Sequence, residues 1–244
     1  MTTDQQSEAA AEQNDLDAAE YRALSPWAVI ALVLGLISAT AFVSPVLWIV
    51  PVLGLSAAAM ALRQIRASEN EMTGRRAALW GLGLSVAFGI GAVADRGATS
   101  WRLEAEATAF ATLWFDHLQH DRPHLAHQLT LEPHRRRGSG DGWAQYREQP
   151  EARVELEGFT ADKPIRALLA LDERATVRLY QTEAIRSADR GRHFVGQLYA
   201  VTYDHQGVTT TFFLRIAALR TLERDTKTPS WKITSWQAGV RPQI

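Results

Sequence analysis

Four histidines stand close together in this sequence, His117, His120, His124 and His127, spaced by three, four and three residues. On an unbroken helix that spacing gathers imidazoles on one side. Asp116 and Asp121 are adjacent, and neutral imidazole is a common ligand of Zn, Ni or Cu. Pro123 interrupts the run, however, and a metal needs its donors to converge about 2 Å from one ion. The four read as the polar face of a helix corner, and no metal site is expected. Arg135-Arg136-Arg137 precedes Gly138-Ser139-Gly140-Asp141-Gly142. The order G-x-x-x-x-G-K-[ST] and its lysine are missing, so this is a solvated basic loop rather than a phosphate cradle. No G-x-S-x-G elbow, H-E-x-x-H pair or Ser–His–Asp order occurs. Tyr199, Tyr203 and Trp236 lie on strand-like segments and combine apolar bodies with polar tips, which makes them the candidate lining of a ligand pocket. No catalytic residue and no cofactor can be assigned.

The elements that must position these residues are set by an uneven charge distribution. The chain has 244 residues, 26 Lys+Arg against 27 Asp+Glu, no Cys, and 46% hydrophobic residues. Near charge balance argues against a dedicated nucleic-acid binder. Without Cys there is no disulfide framework, thiolate nucleophile or thiolate zinc site. Residues 23–62 form 40 consecutive positions without Asp, Glu, Lys or Arg, and residues 77–94 add 18 more.

Residues 1–25 carry six acids against one Arg and read as a disordered acidic tail. A cleavable signal peptide would open with positive charge and reach its apolar run sooner, so the apolar segments are expected to be a retained anchor. Residues 26–62 exceed one span of about 20 residues, and Ser44-Pro45 lies near their middle. The pattern predicts a helical hairpin over 27–43 and 46–62, a polar loop over 64–76, and a third span over 77–94. Trp27, Trp48, Trp80 and Trp101 fall near the proposed span ends, the level that indole favours. Arg63, Arg66, Arg75 and Arg76 in the second loop outnumber Arg96 and Arg102 beyond the third span. That bias places the loop and tail in the cytoplasm and everything after about residue 97 outside. Small residues recur every fourth position, in Ala31-Gly35-Ala39, Gly54-Ala58 and Gly81-Ser85-Gly89, a stripe that lets helices approach closely.

The run SPWAVIALVLGLISA, the arm ending ALRQIR, and GRRAALWGLGL after a short polar loop resemble a bacterial membrane-domain family, domain of unknown function 4190. The resemblance covers about residues 26–94. It implies a membrane anchor attached to a partner domain and no catalytic motif.

Residues 98–244 suffice for one further domain with its own core. Residues 95–244 hold 21 basic and 19 acidic residues, a near-neutral composition. A helix is expected over 101–120, with Trp101, Ala105, Thr108, Phe110, Ala111, Leu113, Trp114, Phe115 and Leu118 on one side. Short helices follow at about 124–129, 143–159 with a break at Pro150, and 164–171. The period then changes to two over 175–187, 193–205, 208–222 and 231–238, with a hairpin turn at Asp204-His205-Gln206-Gly207. Helices followed by an antiparallel meander make an α+β domain. WRLEAEATAFATLWFDHLQHDRPHLAHQLT and the closing PSWKITSWQAG resemble the nuclear transport factor 2-like superfamily. That resemblance implies a cone-like fold whose curved sheet wraps a helix around a cavity. The expectation is a protein of the bacterial cytoplasmic membrane whose partners are the lipid bilayer and another envelope protein or a homo-oligomer, with no nucleic acid. Its outer domain would bind a ligand or assemble; the alternative is a membrane-anchored isomerase or hydrolase using the same cavity.

Overall fold

The computed structural model describes residues 23–68, 72–136, 142–188, 191–222 and 228–242. The acidic tail up to residue 22, positions 69–71 of the polar loop, positions 137–141 of the basic loop, and positions 223–227 before the last strand lie outside them. The chain divides into two compact units at the bond between Ala98 and Thr99.

In the N-terminal unit, α1 (Pro26–Ile37) begins with proline at its first position, where a missing N–H costs nothing. It tightens into a 3₁₀ turn over Ser38–Phe42. Ser44 is extended at φ −149° and ψ 143°, as the residue before Pro45 must be. The chain reverses there and continues through a 3₁₀ turn at Pro45–Trp48 into α2 (Ile49–Ala67). The hairpin thus turns at Ser44-Pro45 as expected, but α2 runs five residues past position 62. Arg63, Gln64 and Arg66 are its last turn rather than loop. A short parallel pairing of Ala23–Leu24 with Met72–Thr73 ties the residues before α1 to those just before the next helix. The next helix, α3 (Arg75–Gln119), is continuous over 45 residues. This corrects the expectation of separate helices over 77–94 and 101–120. Residues 95–100 contain no proline, and the one interior glycine, Gly97, costs only about 1 kcal/mol.

Among the described residues two helices are long and apolar enough to cross a membrane, Pro45–Ala67 and Arg75–Gln119; the 17-residue apolar stretch Pro26–Phe42 is shorter. The small-residue stripes are where they pack. A Cβ on Gly35 would lie 2.7 Å from the Gly81 carbonyl oxygen, and one on Gly81 would lie 2.5 Å from the Ala31 carbonyl. A Cβ on Gly54 would collide with the Ser85 hydroxyl, and one on Gly89 would press Pro51 at 3.3 Å. At Gly35 and Gly81 glycine is required because backbone meets backbone.

Among the described residues the C-terminal unit adds four α-helices and four strands to the later part of α3. After α3 come α4 (Pro123–Gln128), α5 (Ala144–Glu148), α6 (Pro150–Ala161) and α7 (Lys163–Leu171). Four antiparallel strands follow in sequential order: β1 (Thr176–Ala188), β2 (Arg192–His205), β3 (Val208–Leu222) and β4 (Pro229–Ala238). The predicted strands and hairpin turn match these closely. Gln206 and Gly207 both take positive φ, 54° and 78°, the geometry a two-residue hairpin needs. Bulges interrupt the β1–β2 register at Leu179/Gln181 and Thr182/Ala184, and the β3–β4 register at Ala217/Ala218, bending those strands.

The core forms where the later part of α3 lies on one sheet face. Leu103, Ala107, Ala111, Trp114 and Leu118 recur at spacings of four, four, three and four, and meet Val195, Tyr199, Leu214 and Ile216. Trp101 and Leu113, expected on that face, are exposed instead. The buried stripe starts at Leu103, one helical step round from the predicted one. Glu106, on the stripe's border, is paired. Glu106 accepts from Arg102 at 2.8 Å, Arg220 at 3.0 Å and the Trp231 indole at 3.2 Å. Burial alone would raise its pKa, but these hydrogen bonds and the Arg220 charge lower it on balance.

Candidate functional site

Asp162 links α6 to α7 in extended backbone, at φ −65° and ψ 134°, the position from which an aspartate ordinarily caps the following helix. Its side chain makes no capping bond. Instead its Oδ2 accepts the indole N–H of Trp236 at 2.6 Å. Trp236 pairs in register with Ile216 and therefore points to the helix side of the sheet. Its ring meets Phe159 edge-on at 5.3 Å and Trp114 at 6.1 Å. The carboxylate and the indole both line an open groove of about 770 Å³. Lys163, Ala167, Ala170 and Leu171 form its helical wall, and Tyr203, Phe212 and Trp236 its sheet wall. The two alanines supply width; three aromatic rings supply an apolar face. Asp162, Lys163 and Gln237 add the orienting polar groups. Among the described residues, the groove lining holds no nucleophile hydrogen-bonded to a base.

Of the three candidate lining residues, Tyr203 and Trp236 reach this groove and Tyr199 does not. Tyr199 is buried against Phe115, ring centroids 4.9 Å apart, and donates its hydroxyl to Gln197 Oε1 at 2.9 Å. Gln197 in turn donates to Thr108 Oγ1 at 2.8 Å, so the chain of polar groups is satisfied inside the core. Burial holds the Tyr199 hydroxyl well above the usual phenol range. Asp162 and Phe212 were missed. Asp162 before Lys163-Pro164 does carry a helix-start signature, but nothing in sequence announces its turn toward a tryptophan 74 residues later.

His120, His124 and His127 make separate contacts, and the buried Nδ1 of His117 has no partner among the described residues. His120 is exposed and lies 3.2 Å from both Asp116 and Glu173. His124 stacks on Trp143 at 4.2 Å, and its buried Nδ1 has no partner among the described residues. The Tyr146 hydroxyl donates to the His124 carbonyl at 3.2 Å, and its oxygen lies 2.9 Å from His127 Nδ1. Burial lowers the proton affinity of His117, His124 and His127. Among the described residues no group of three or more His, Asp or Glu is placed to hold a metal ion.

The arginine run is not uniformly solvated. Arg135 pairs with Glu155 at 3.3 Å on the surface. Arg136 is half-buried: it donates to the carbonyls of Leu131, Leu129 and Trp231, and its guanidinium lies 5.7 Å from the Phe110 ring centroid. It clamps α4's C-terminal end to β4, and burial lowers its pKa.

In the N-terminal unit, Arg63, Arg66, Arg75 and Arg76 are exposed at one end, on the last turn of α2 and the first of α3. Trp27 stands on the first turn of α1 and Trp80 on the second turn of α3, and both are exposed. Trp48, at the opposite end of α2, donates its indole N–H to the Ala41 carbonyl at 3.2 Å and carries the Arg96 guanidinium 5.5 Å from its ring centroid. Trp101 is exposed on α3 beyond the unit boundary. Compared with protein-family models, with curated proteins and with solved structures, the chain matches none of them.

Proposed function

We propose that this chain is a bacterial membrane-anchored binding protein. Its three apolar segments span the cytoplasmic membrane with the amino terminus inside, and its C-terminal unit, a nuclear transport factor 2-like cone, is displayed outside. One observation carries the anchoring: the N-terminal unit is inside out. Of 26 exposed large hydrophobic residues among those described, 18 lie between Trp27 and Val93, whereas the residues buried there are mostly Ala, Gly and Ser. In water such a surface is an unpaid hydrophobic cost; in a bilayer it is the solvated face. The four arginines gathered at one end support the orientation. The likeness of residues 26–94 to the domain of unknown function 4190 family points the same way.

The groove beside Trp236 is where the outer unit takes its ligand or an apolar segment of another envelope protein or of a second copy. An isomerase or hydrolase would work in the same groove, but the Asp162 carboxylate is committed to Trp236, which favours binding. Photo-crosslinking tests this. A benzophenone amino acid at Ala167, on the groove wall, is expected to give a discrete adduct in cells. The same group at Arg166, which is exposed but off the groove, is expected to give none. Equal labelling from both positions, or none from Ala167, would overturn the groove as the binding site.

A further inference from the structure

We propose that the N-terminal unit holds one anionic phospholipid, with an acyl chain between α2 and α3 and its phosphate on Arg96. The proposal rests on the membrane-anchored reading above. The two helices run antiparallel, so residues face each other in levels: Gly54 meets Ser85, Pro51 meets Gly89, and Trp48 meets Arg96. Because Gly89 has no side chain, the helix surfaces leave an apolar furrow of about 340 Å³. Trp48, Val52 and Leu55 form one bank; Val86, Ile90 and Val93 form the other. That volume suits a single hydrocarbon chain, not a helix about 10 Å across.

The furrow ends at a cation. Arg96 follows Val93 by one turn and is exposed, and among the described residues it makes no ion pair. Trp48 is fixed by its bond to Ala41, so its ring face is presented to the guanidinium. A guanidinium lying over a ring keeps its N–H edges free, and that planar fork matches phosphate oxygens. Indole and arginine at the end of an apolar furrow reproduce the polarity of a phospholipid: hydrocarbon along the helices, anionic group at the headgroup level. Charge complementarity thus favours an anionic lipid over a zwitterionic one.

The test is native mass spectrometry of the full chain in mild detergent, supplied with equal phosphatidylglycerol and phosphatidylcholine of identical chains. One phosphatidylglycerol should be retained, preferred about fivefold, the size of one arginine contact near a membrane surface. Arg96→Gln should bring the ratio to about one, as expected when that single contact is lost. Ile90→Trp, at a position 66% exposed and so free of helix packing, should block the furrow and reduce retention of both lipids. Equal retention by the wild type, a preference that survives Arg96→Gln, or a lipid-free dimer disrupted by Ile90→Trp would each overturn the proposal. Alkaline carbonate extraction separates the two ideas: a chain that stays in the membrane without lipid preference refutes the lipid site alone, and a chain that is extracted refutes the anchor.

Discussion

Trp236 and Asp162 stand 74 residues apart in sequence, yet the indole of one donates to the carboxylate of the other at 2.6 Å. The bond joins the last strand of the sheet to the start of α7 and fixes a polar part of the groove. It also diverts Asp162 from capping its own helix, a service worth about 1 kcal/mol. Among the described groove residues this is the one side-chain hydrogen bond between the helical and the sheet wall, so it is the contact most able to set the groove's shape.

Asp162→Ala should therefore loosen the groove before it unfolds the unit. A loss of about 1–2 kcal/mol in denaturant unfolding is expected, the range of a charge-assisted hydrogen bond that is partly exposed. The Trp236 emission should shift toward that of a more mobile, wetter indole. An unchanged spectrum with unchanged stability would show that the bond does not organise the groove.

The small-residue stripe makes a sharper test in the N-terminal unit. Gly81→Leu places a side chain 2.5 Å from the Ala31 backbone, which cannot move aside as a side-chain tip would. Gly83→Leu meets nothing within 4 Å. Helix packing should be lost in the first variant, at a cost beyond the roughly 1–3 kcal/mol of ordinary overpacking, and kept in the second. Limited proteolysis in detergent reads the difference; equal resistance of the two variants would refute the packing.

Arg136 is expected to matter far more than its neighbour. Arg136→Lys should behave like Arg136→Ala, because one ammonium cannot serve three carbonyls and lie over Phe110 together. Each should cost about 2–3 kcal/mol, reflecting buried acceptors left unpaired. Arg135→Ala, breaking an exposed pair with Glu155, should cost under about 0.5 kcal/mol. Thermal unfolding of the three variants checks the order, and a harmless Arg136→Lys would remove the clamp.

Acid should weaken the C-terminal unit through its histidines. Burial holds His117, His124 and His127 below their ordinary value of 6.5; near His127 the Glu155 and Arg135 charges oppose each other and burial dominates. Below that value the unfolded chain binds more protons than the folded one. Stability is thus full above about pH 6.5 and falls as pH drops through the lowered folded values. Denaturant midpoints should be flat from about pH 8 to 7 and decline toward pH 5, less steeply in His127→Gln. A wild-type midpoint constant down to about pH 5 would contradict this assignment.

Much of the fold was legible because local pattern and tertiary role agree. Alternating Val, Tyr, Phe and Thr mark strands that are half-buried, and Asp204-His205-Gln206-Gly207 marks the turn between two of them. Ser44-Pro45 marks the hairpin through a steric rule that acts within one dipeptide. The continuity of α3 across residues 95–100 was not legible, since polarity suggests a loop while backbone propensity still permits helix. Tyr203 and Trp236 were found by chemistry and strand position. Tyr199, of the same chemistry and on the same strand face as Tyr203, went instead to the core, where α3 covers it. Asp162, Phe212 and the Arg136 clamp depend on contacts spanning tens of residues, for which a single sequence carries no local signal.

The most direct test of the account is the sidedness of the full chain in the membrane. With a distinct epitope at each end, protease added outside intact spheroplasts should digest the region 98–244 and leave the amino-terminal epitope, still attached to carbonate-resistant membranes, protected. Digestion of the amino-terminal epitope with the C-terminal region spared, or release of the whole chain by carbonate, would contradict it.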